Sequence, residues 1–361
     1  MKGIYIGSTT GGAGKNLLSI SLGLYLQKSG FSVGYMKPLG RLPQMREERP
    51  GDADALVVQE LLGQNAAADL LTPVMVPGNL HNLAVWRQES DKTAMTRIRE
   101  AYSRLSQGRD YTIVTGSGAF PAAGRFADAD GLRIVRELDL RVLFVERYSG
   151  GINYDALLLL KSLLGESMLG VVINSVPEAN MRDVAGLFSP WLCEQGIAVH
   201  GIIPREPELS AMRVLDLARG LNGRVVAGNA HAGSMIKGFV IGTMQVDNFM
   251  MHLRRRKGSA VIVGGDRSDL QLAALYEDCP CIILTGNITP TELIRAGAES
   301  KGVTLVVVRE DTYTVARGMS RILKSKKLRE LNQIRLGVQL VEDSVDMPGL
   351  MRLLDKFPLD I

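Results

Sequence analysis

The stretch Gly7-Ser8-Thr9-Thr10-Gly11-Gly12-Ala13-Gly14-Lys15-Asn16 decides how the rest of this chain is read. An apolar run, Ile4-Tyr5-Ile6, enters it, and a helix-like run from Leu17 to Leu26 leaves it. Strand, glycine-rich loop and helix in that order predict a phosphate-binding turn. Glycines let successive backbone N–H groups face one anion, because no Cβ blocks the tight path. The helix that follows aims its positive dipole end and unpaired N–H groups at the same point. Thr10, Gly11, Gly12, Ala13, Gly14, Lys15, Asn16 and Leu17 are the expected nucleotide contacts, with Lys15 a point charge for the β- and γ-phosphates. A plain glycine turn with Lys15 solvated is the alternative. Two departures matter. Asn16 stands where the pattern carries the Ser or Thr that ligates Mg²⁺, and Thr9 where it carries its first glycine. An amide oxygen can still meet a hard cation, as a weaker, neutral donor. Binding of ATP or ADP survives both changes more easily than fast hydrolysis does.

Outward from this loop the chain alternates short apolar runs with longer amphipathic ones. Strands are expected at 3–7, 32–36, 111–115, 141–145, 169–173 and 198–202, and helices at 15–29, 53–63, 91–107, 153–164, 178–194 and 208–220. Continuous Val/Ile/Leu runs mark strands buried on both faces, hence a parallel sheet covered by helices. Gly220, Gly223 and Gly228 then punctuate a boundary. A second series follows, with strands at 259–264, 281–285 and 303–308 and helices at 245–256, 268–276, 290–299 and 313–323. The expected architecture is α/β: a doubly wound parallel sheet of the P-loop NTPase kind over 1–222, a smaller α/β domain over 223–325, and a polar helical tail over 326–361 opened by Lys326, Lys327 and Arg329.

Composition narrows the function classes. With 361 residues, 46% hydrophobic and 22% charged, the chain has the make-up of a soluble globular protein large enough for two cores. A net charge of +4 is mild, and the only dense basic tract, Arg254-Arg255-Arg256-Lys257, reads as a solvated helix end. Aromatics make up only 5%, too few for base stacking, so no nucleic-acid partner is expected. No run approaches a membrane span, and a cytoplasmic location without membrane contact is expected. Cys193, Cys279 and Cys281 cannot form a disulfide framework; Cys279-Pro-Cys281 lacks the spacing of metal or redox pairs, and buried thiols in a reducing compartment are expected. His81, His200, His231 and His252 are scattered singly and suggest no dyad.

In a parallel α/β sheet, ligands lie at the carboxyl ends of the strands. After the second strand comes Lys37-Pro38-Leu39-Gly40, and then Asp52-Ala53-Asp54 opens a helix. One of those carboxylates reads as an N-cap, while the other is available to Mg²⁺. Thr115-Gly116-Ser117-Gly118 follows the third strand and Asn174-Ser175-Val176-Pro177 the fifth. In the second domain, Gly264-Gly265-Asp266-Arg267-Ser268-Asp269, Thr285-Gly286-Asn287 and Asp311-Thr312-Tyr313 each follow a strand. If those strands are parallel, Asp266, Arg267, Thr285, Gly286, Asp311 and Thr312 converge on one edge as a second ligand site, Arg267 offering a planar fork to phosphate or carboxylate. The same clusters also read as helix caps: Asp266 or Ser268, Asp311 or Thr312, and Thr289-Pro290-Thr291-Glu292 as a capping box.

The order glycine loop, Lys37-Pro38, Asp54-Ala55-Leu56, Thr115-Gly116-Ser117-Gly118, Gly150-Gly151-Ile152-Asn153-Tyr154-Asp155 and Asn174 resembles dethiobiotin synthetase, and more closely the dethiobiotin-synthetase-like domain at the N-terminus of long phosphotransacetylases. The resemblance implies that Lys37 holds a carbamate, that Asp54 and a glutamate after the third strand bind metal, and that Asn174 reads adenine. The glutamate's place is Thr115 here, so with Asn16 two of three groups for Mg²⁺ have changed. Asp266-Arg267, Thr285-Gly286-Asn287 and the lead-in Ile241-Gly242-Thr243-Met244 resemble the DRTGG domain that follows in the same long enzymes, which implies nucleotide binding and subunit contact. No counterpart of the transacetylase catalytic domain is expected within these 361 residues.

Three functions follow as expectations. The leading one is a nucleotide-binding regulatory protein with weak or no ATP hydrolysis, acting as a homo-oligomer or through a protein partner. The alternative is an ATP-dependent ligase of the dethiobiotin type, with Lys15 and Lys37 catalytic and Mg²⁺ held by Asn16, Asp54 and Asp52. A deviant-loop ATPase dimerising across its nucleotide would carry a second lysine at position 10, which is Thr10.

Overall fold

The computed structural model describes residues 2–46, 49–76, 93–325 and 330–355; His81, Lys326, Lys327 and Arg329 lie outside them. The chain divides into two compact units, Met1–Arg205 with Lys327–Ile361, and Glu206–Lys326.

In the first unit, six strands form one parallel sheet: β1 (Lys2–Gly7), β2 (Val33–Met36), β3 (Tyr111–Thr115), β4 (Arg141–Arg147), β5 (Met168–Val176) and β6 (Val199–Pro204). Their spatial order is β6-β5-β4-β1-β3-β2, and every neighbouring pair is parallel. The chain leaves β1 toward one edge and later returns to fill the other. The switch point therefore falls at the carboxyl end of β1, where such sheets bind ligands. Alternation along β1 explains the unbroken apolar run. Ile4 and Ile6 join the core beneath helices α1 (Lys15–Lys28) and α2 (Ala53–Leu61), and Tyr5 joins the opposite one beneath α3 (Ala94–Ser106), α4 (Gly131–Glu137) and α5 (Tyr154–Leu164). Before α2, residues Pro43–Arg46 and Arg49–Asp52 pair as an antiparallel hairpin that the apolar pattern does not announce.

The run 178–194 is not one helix. An α-helical turn, Met181–Asp183, passes into a π-helical stretch, Val184–Phe188, before α6 (Ser189–Glu194). Pro190 has no N–H to continue the ladder, and wider i→i+5 bonds carry the chain past it. Cys193 on α6 is exposed, contrary to the expected burial.

The second unit begins earlier than the glycines at 220–228 suggest. Met212, Val214, Leu217 and Ala218, on or just before α7 (Val214–Gly220), pack with Ile262 and Ile283 of this unit's own sheet. The glycines only turn the chain from α7 into β7 (Arg224–Ala227). The unit continues through β8 (Gly238–Gly242), α8 (Val246–Arg254), β9 (Ser259–Gly264), α9 (Ser268–Leu275), β10 (Cys281–Thr285), α10 (Glu292–Lys301), β11 (Thr304–Val307) and α11 (Thr312–Ser325). Its sheet has the order β7-β11-β10-β9-β8, parallel except for the β7–β11 pair. Burial pushes the Cys279 thiol to about 12 and raises that of Cys281, so both are inert core residues.

The C-terminal stretch is not a separate tail. Helices α12 (Leu331–Ser344) and α13 (Met347–Asp355) return to the first unit. Ile334, Val341, Val345, Met347, Leu350 and Leu354 join the core cluster that contains Leu17 and Leu18 of α1. Gly337 allows a close approach to α1, because a Cβ there would lie 2.8 Å from the Leu17 side chain. Asp346 N donates to His200 O at 2.8 Å, closing the segment onto β6.

Candidate functional site

The glycine loop leaves the carboxyl end of β1 at the centre of the six-stranded sheet. Gly12 and Gly14 take φ values of 71° and 114°, a region open mainly to glycine. Gly14 caps α1 with no side-chain hydrogen bond, so no side chain competes for the first N–H groups of the helix. Lys15 is only 8% exposed. Its Nζ donates to Ser8 Oγ at 2.6 Å and to Gly118 O at 2.9 Å, which folds it back across its own loop. Asn174, at the end of β5, donates from Nδ2 to Ala13 O at 2.7 Å and so buttresses the loop directly. Its expected contact with adenine would require that amide to exchange partners or to use its oxygen.

Two neighbours at the end of β4, Glu146 and Arg147, are not among the expected residues. Their only sequence signal is position, the same carboxyl-end rule that singles out the other strands. Glu146 is 1% exposed. Thr9 Oγ1 lies 2.6 and 2.5 Å from its two carboxylate oxygens, and Thr9 N donates to Oε2 at 3.3 Å. Burial pushes this carboxyl above its ordinary range, tempered by the Thr9 hydrogen bonds and by Lys15. Arg147 is half-buried, and its NH1 reaches Gly12 O at 3.4 Å. Burial, then repulsion from Arg205, lowers the pKa of its guanidinium.

Lys37, Asp52 and Asp54 come together, but as a closed set. Lys37 Nζ lies 2.6 Å from Asp52 Oδ1 and 3.3 Å from Asp54 Oδ2, with all three side chains buried. Asp52 also accepts from Asp54 N and Ala55 N as the N-cap of α2, and from Arg41 N and Leu42 N. Burial alone would raise its pKa. The charge and hydrogen bond of Lys37 and the two loop N–H groups outweigh this and hold it below the ordinary range. Thr115 Oγ1 is likewise engaged, 2.6 Å from Ser19 Oγ on α1. Among the described residues no three His, Cys, Asp or Glu side chains gather as a metal cage. These residues do not fit a tightly held magnesium ion. Asp52 is saturated with donors, Asp54 faces an ammonium, Thr115 is paired, and Asn16 offers only a neutral amide.

In the second unit β9, β10 and β11 are parallel, so the three polar clusters do share one sheet edge. Much of that chemistry is local. Arg267 forms a two-point ion pair with Asp269, at 2.9 and 2.8 Å, rather than presenting an open fork. Asp311 caps α11 through Tyr313 N and Thr314 N. Thr285 Oγ1 meets Thr312 Oγ1 at 2.9 Å, and Gly286 has φ 83°. Neither Asp266 nor Ser268 is the N-cap of α9; that position is Arg267, without a side-chain cap. The capping box at Thr289 is absent as well, because α10 starts at Glu292 with Thr291 as its uncapped N-cap and Pro290 outside. A cleft of about 450 Å³ opens beside this edge, lined by Asn222, Arg224, Asn287, Val307, Arg309 and Glu310.

A doubly wound parallel sheet with a glycine loop after its central strand and a buried lysine at the following helix defines a P-loop α/β protein. The family model of the AAA domain matches residues 2–213 and that of the DRTGG domain residues 216–322. The chain belongs to this AAA-domain family, in a dethiobiotin-synthetase-like form, and carries a DRTGG domain over residues 216–322. It is 26% identical to phosphate acetyltransferase of Pseudomonas aeruginosa over 94% of its own length and 50% of that enzyme. It is 30% identical to ATP-dependent dethiobiotin synthetase of Methanococcus vannielii over 49% of its length and 81% of that enzyme. The chain thus spans about half the length of the phosphate acetyltransferases it matches. A looser likeness, with 20% identity and a TM-score of 0.28, covers 33% of this chain and 49% of the CBS and DRTGG regulatory region of Clostridium perfringens pyrophosphatase, solved with diadenosine tetraphosphate. Among the described residues no helix is long and apolar enough to cross a membrane.

Proposed function

We propose that this chain is a nucleotide-binding regulatory protein that holds ATP or ADP at Thr10–Leu17 and turns it over slowly or not at all. The observation that carries this reading is the contrast within one site. The parts suited to face phosphate are present: the glycines from Gly11 to Gly14, uncapped α1 and buried Lys15. The parts that phosphoryl transfer relies on are altered, with Asn16 in place of a hydroxyl and Thr115 tied to Ser19. A ligase of the dethiobiotin type would need Lys37 free for a carbamate or carboxylate, yet its ammonium is engaged by Asp52 and Asp54. Binding without turnover acts only if something reads the bound state, so the output belongs to a protein partner or to a second copy of the chain.

The test is equilibrium titration of ATP and ADP into wild type and Lys15→Ala, with the melting temperature as a check that the variant folds. Micromolar binding that falls at least about tenfold in the variant is the expected result, the size of one charge-assisted contact to phosphate. Equal binding by both proteins would contradict it.

A further inference from the structure

The magnesium site and the cations beside the loop point in opposite directions, and together they carry an inference that rests on the nucleotide-binding reading above. A polyphosphate brings several negative charges to one point, and P-loop proteins ordinarily share them between a lysine and a metal ion. Here each candidate magnesium ligand is otherwise engaged or neutral. Asp52 accepts five hydrogen bonds, Asp54 lies against Lys37, Thr115 is paired with Ser19, and position 16 is an amide.

Two arginines stand at the same sheet edge with no acid paired to either among the described residues. Arg147 closes β4, and Arg205 directly follows Pro204 of β6, its backbone N bonded to Val176 O at 2.8 Å. Neither forms an ion pair among the described residues; Arg205 is exposed, Arg147 half-buried, and the influence that Arg205 exerts on Arg147 is repulsive. Among the described residues the hydrogen bond of Arg147, NH1 to Gly12 O at 3.4 Å, leaves most of its five N–H donors unspent while directing the group at the loop. Burying half of a guanidinium beside a second cation is costly unless an anion completes the set.

We infer that this loop binds the nucleotide's phosphate chain without a resident magnesium ion, Arg147 and Arg205 joining Lys15 to balance its charge. A guanidinium neutralises phosphate and fixes its orientation through paired hydrogen bonds, but it supplies no Lewis acid. The arrangement favours retention of the nucleotide over transfer of its terminal phosphoryl group.

The experiment is calorimetric titration of ATP in excess EDTA and in excess Mg²⁺. It compares the wild-type chain, the Arg147→Gln/Arg205→Gln double variant and the charge-conserving Arg147→Lys/Arg205→Lys double variant. Wild-type affinity in EDTA should stay within about threefold of that in magnesium. In EDTA the glutamine variant should lose at least about tenfold and the lysine variant much less, which separates charge from folding. Two results would overturn the inference alone: wild type that binds only with magnesium, or a glutamine variant that binds as wild type does in EDTA. Wild type that binds ATP in neither buffer would overturn the nucleotide-binding reading, and this inference with it.

Discussion

At the residue scale, the site is governed by which polar atoms are already spent. Lys37 and Asp52 form a buried pair whose members depend on one another. Removing one charge from such a pair leaves the other desolvated, at a cost of about 3–5 kcal/mol. Lys37→Met is therefore expected to lower unfolding stability by that order in urea melts, with part recovered in Lys37→Met/Asp52→Asn. A fully stable single variant would show that the pair is not buried as described. Glu146 has the opposite sense. Its folded pKa is raised by burial, so its contribution to stability is present below the unfolded carboxylate value and is lost as pH rises through the folded value. The expected outcome is that Glu146→Gln gains melting temperature relative to wild type as pH goes from mildly acidic to neutral. A difference that is flat or shrinks with pH would contradict the assignment. This residue was legible only by position, since nothing in the type or spacing of Glu146 tells a buried loop anchor from a solvated strand end.

At the scale of elements, the sequence reading succeeds where burial is symmetric. Strands such as Tyr111–Thr115 and Cys281–Thr285 are wholly buried, and an unbroken apolar run is the direct signature of that. It misses β7 and β8, which carry exposed or half-buried residues, and the pairing of Pro43–Arg46 with Arg49–Asp52, whose sequence holds no apolar run. Nor does the amphipathic pattern of 331–355 reveal which surface it covers; a helix shows its apolar stripe in sequence but not its partner. Its partners are β6 and α1, the helix carrying Lys15 and Asn16 at its start. Gly337→Val would drive a side chain into Leu17, an overpacking strain of about 1–3 kcal/mol. The variant is expected to melt lower and to bind ATP more weakly, because Leu17 lies in the first turn after the loop. Unchanged affinity would show that α12 supports the fold without influencing the loop.

At the scale of the molecule, the DRTGG unit is inserted in the chain rather than appended to it. The first unit supplies residues both before Glu206 and after Lys326. These flanking segments hold β6 and α12, both of which pack within the first unit. The boundary was misplaced in sequence because Gly220, Gly223 and Gly228 advertise a break, whereas the domain's own core has already claimed α7. On the function proposed above, this loop retains nucleotide instead of consuming it. A single-turnover assay tests it most directly: labelled ATP and Mg²⁺ mixed with an excess of the intact chain, then quenched and resolved over time. Bound label recovered as ATP throughout is the predicted result, and prompt stoichiometric conversion to ADP would contradict it.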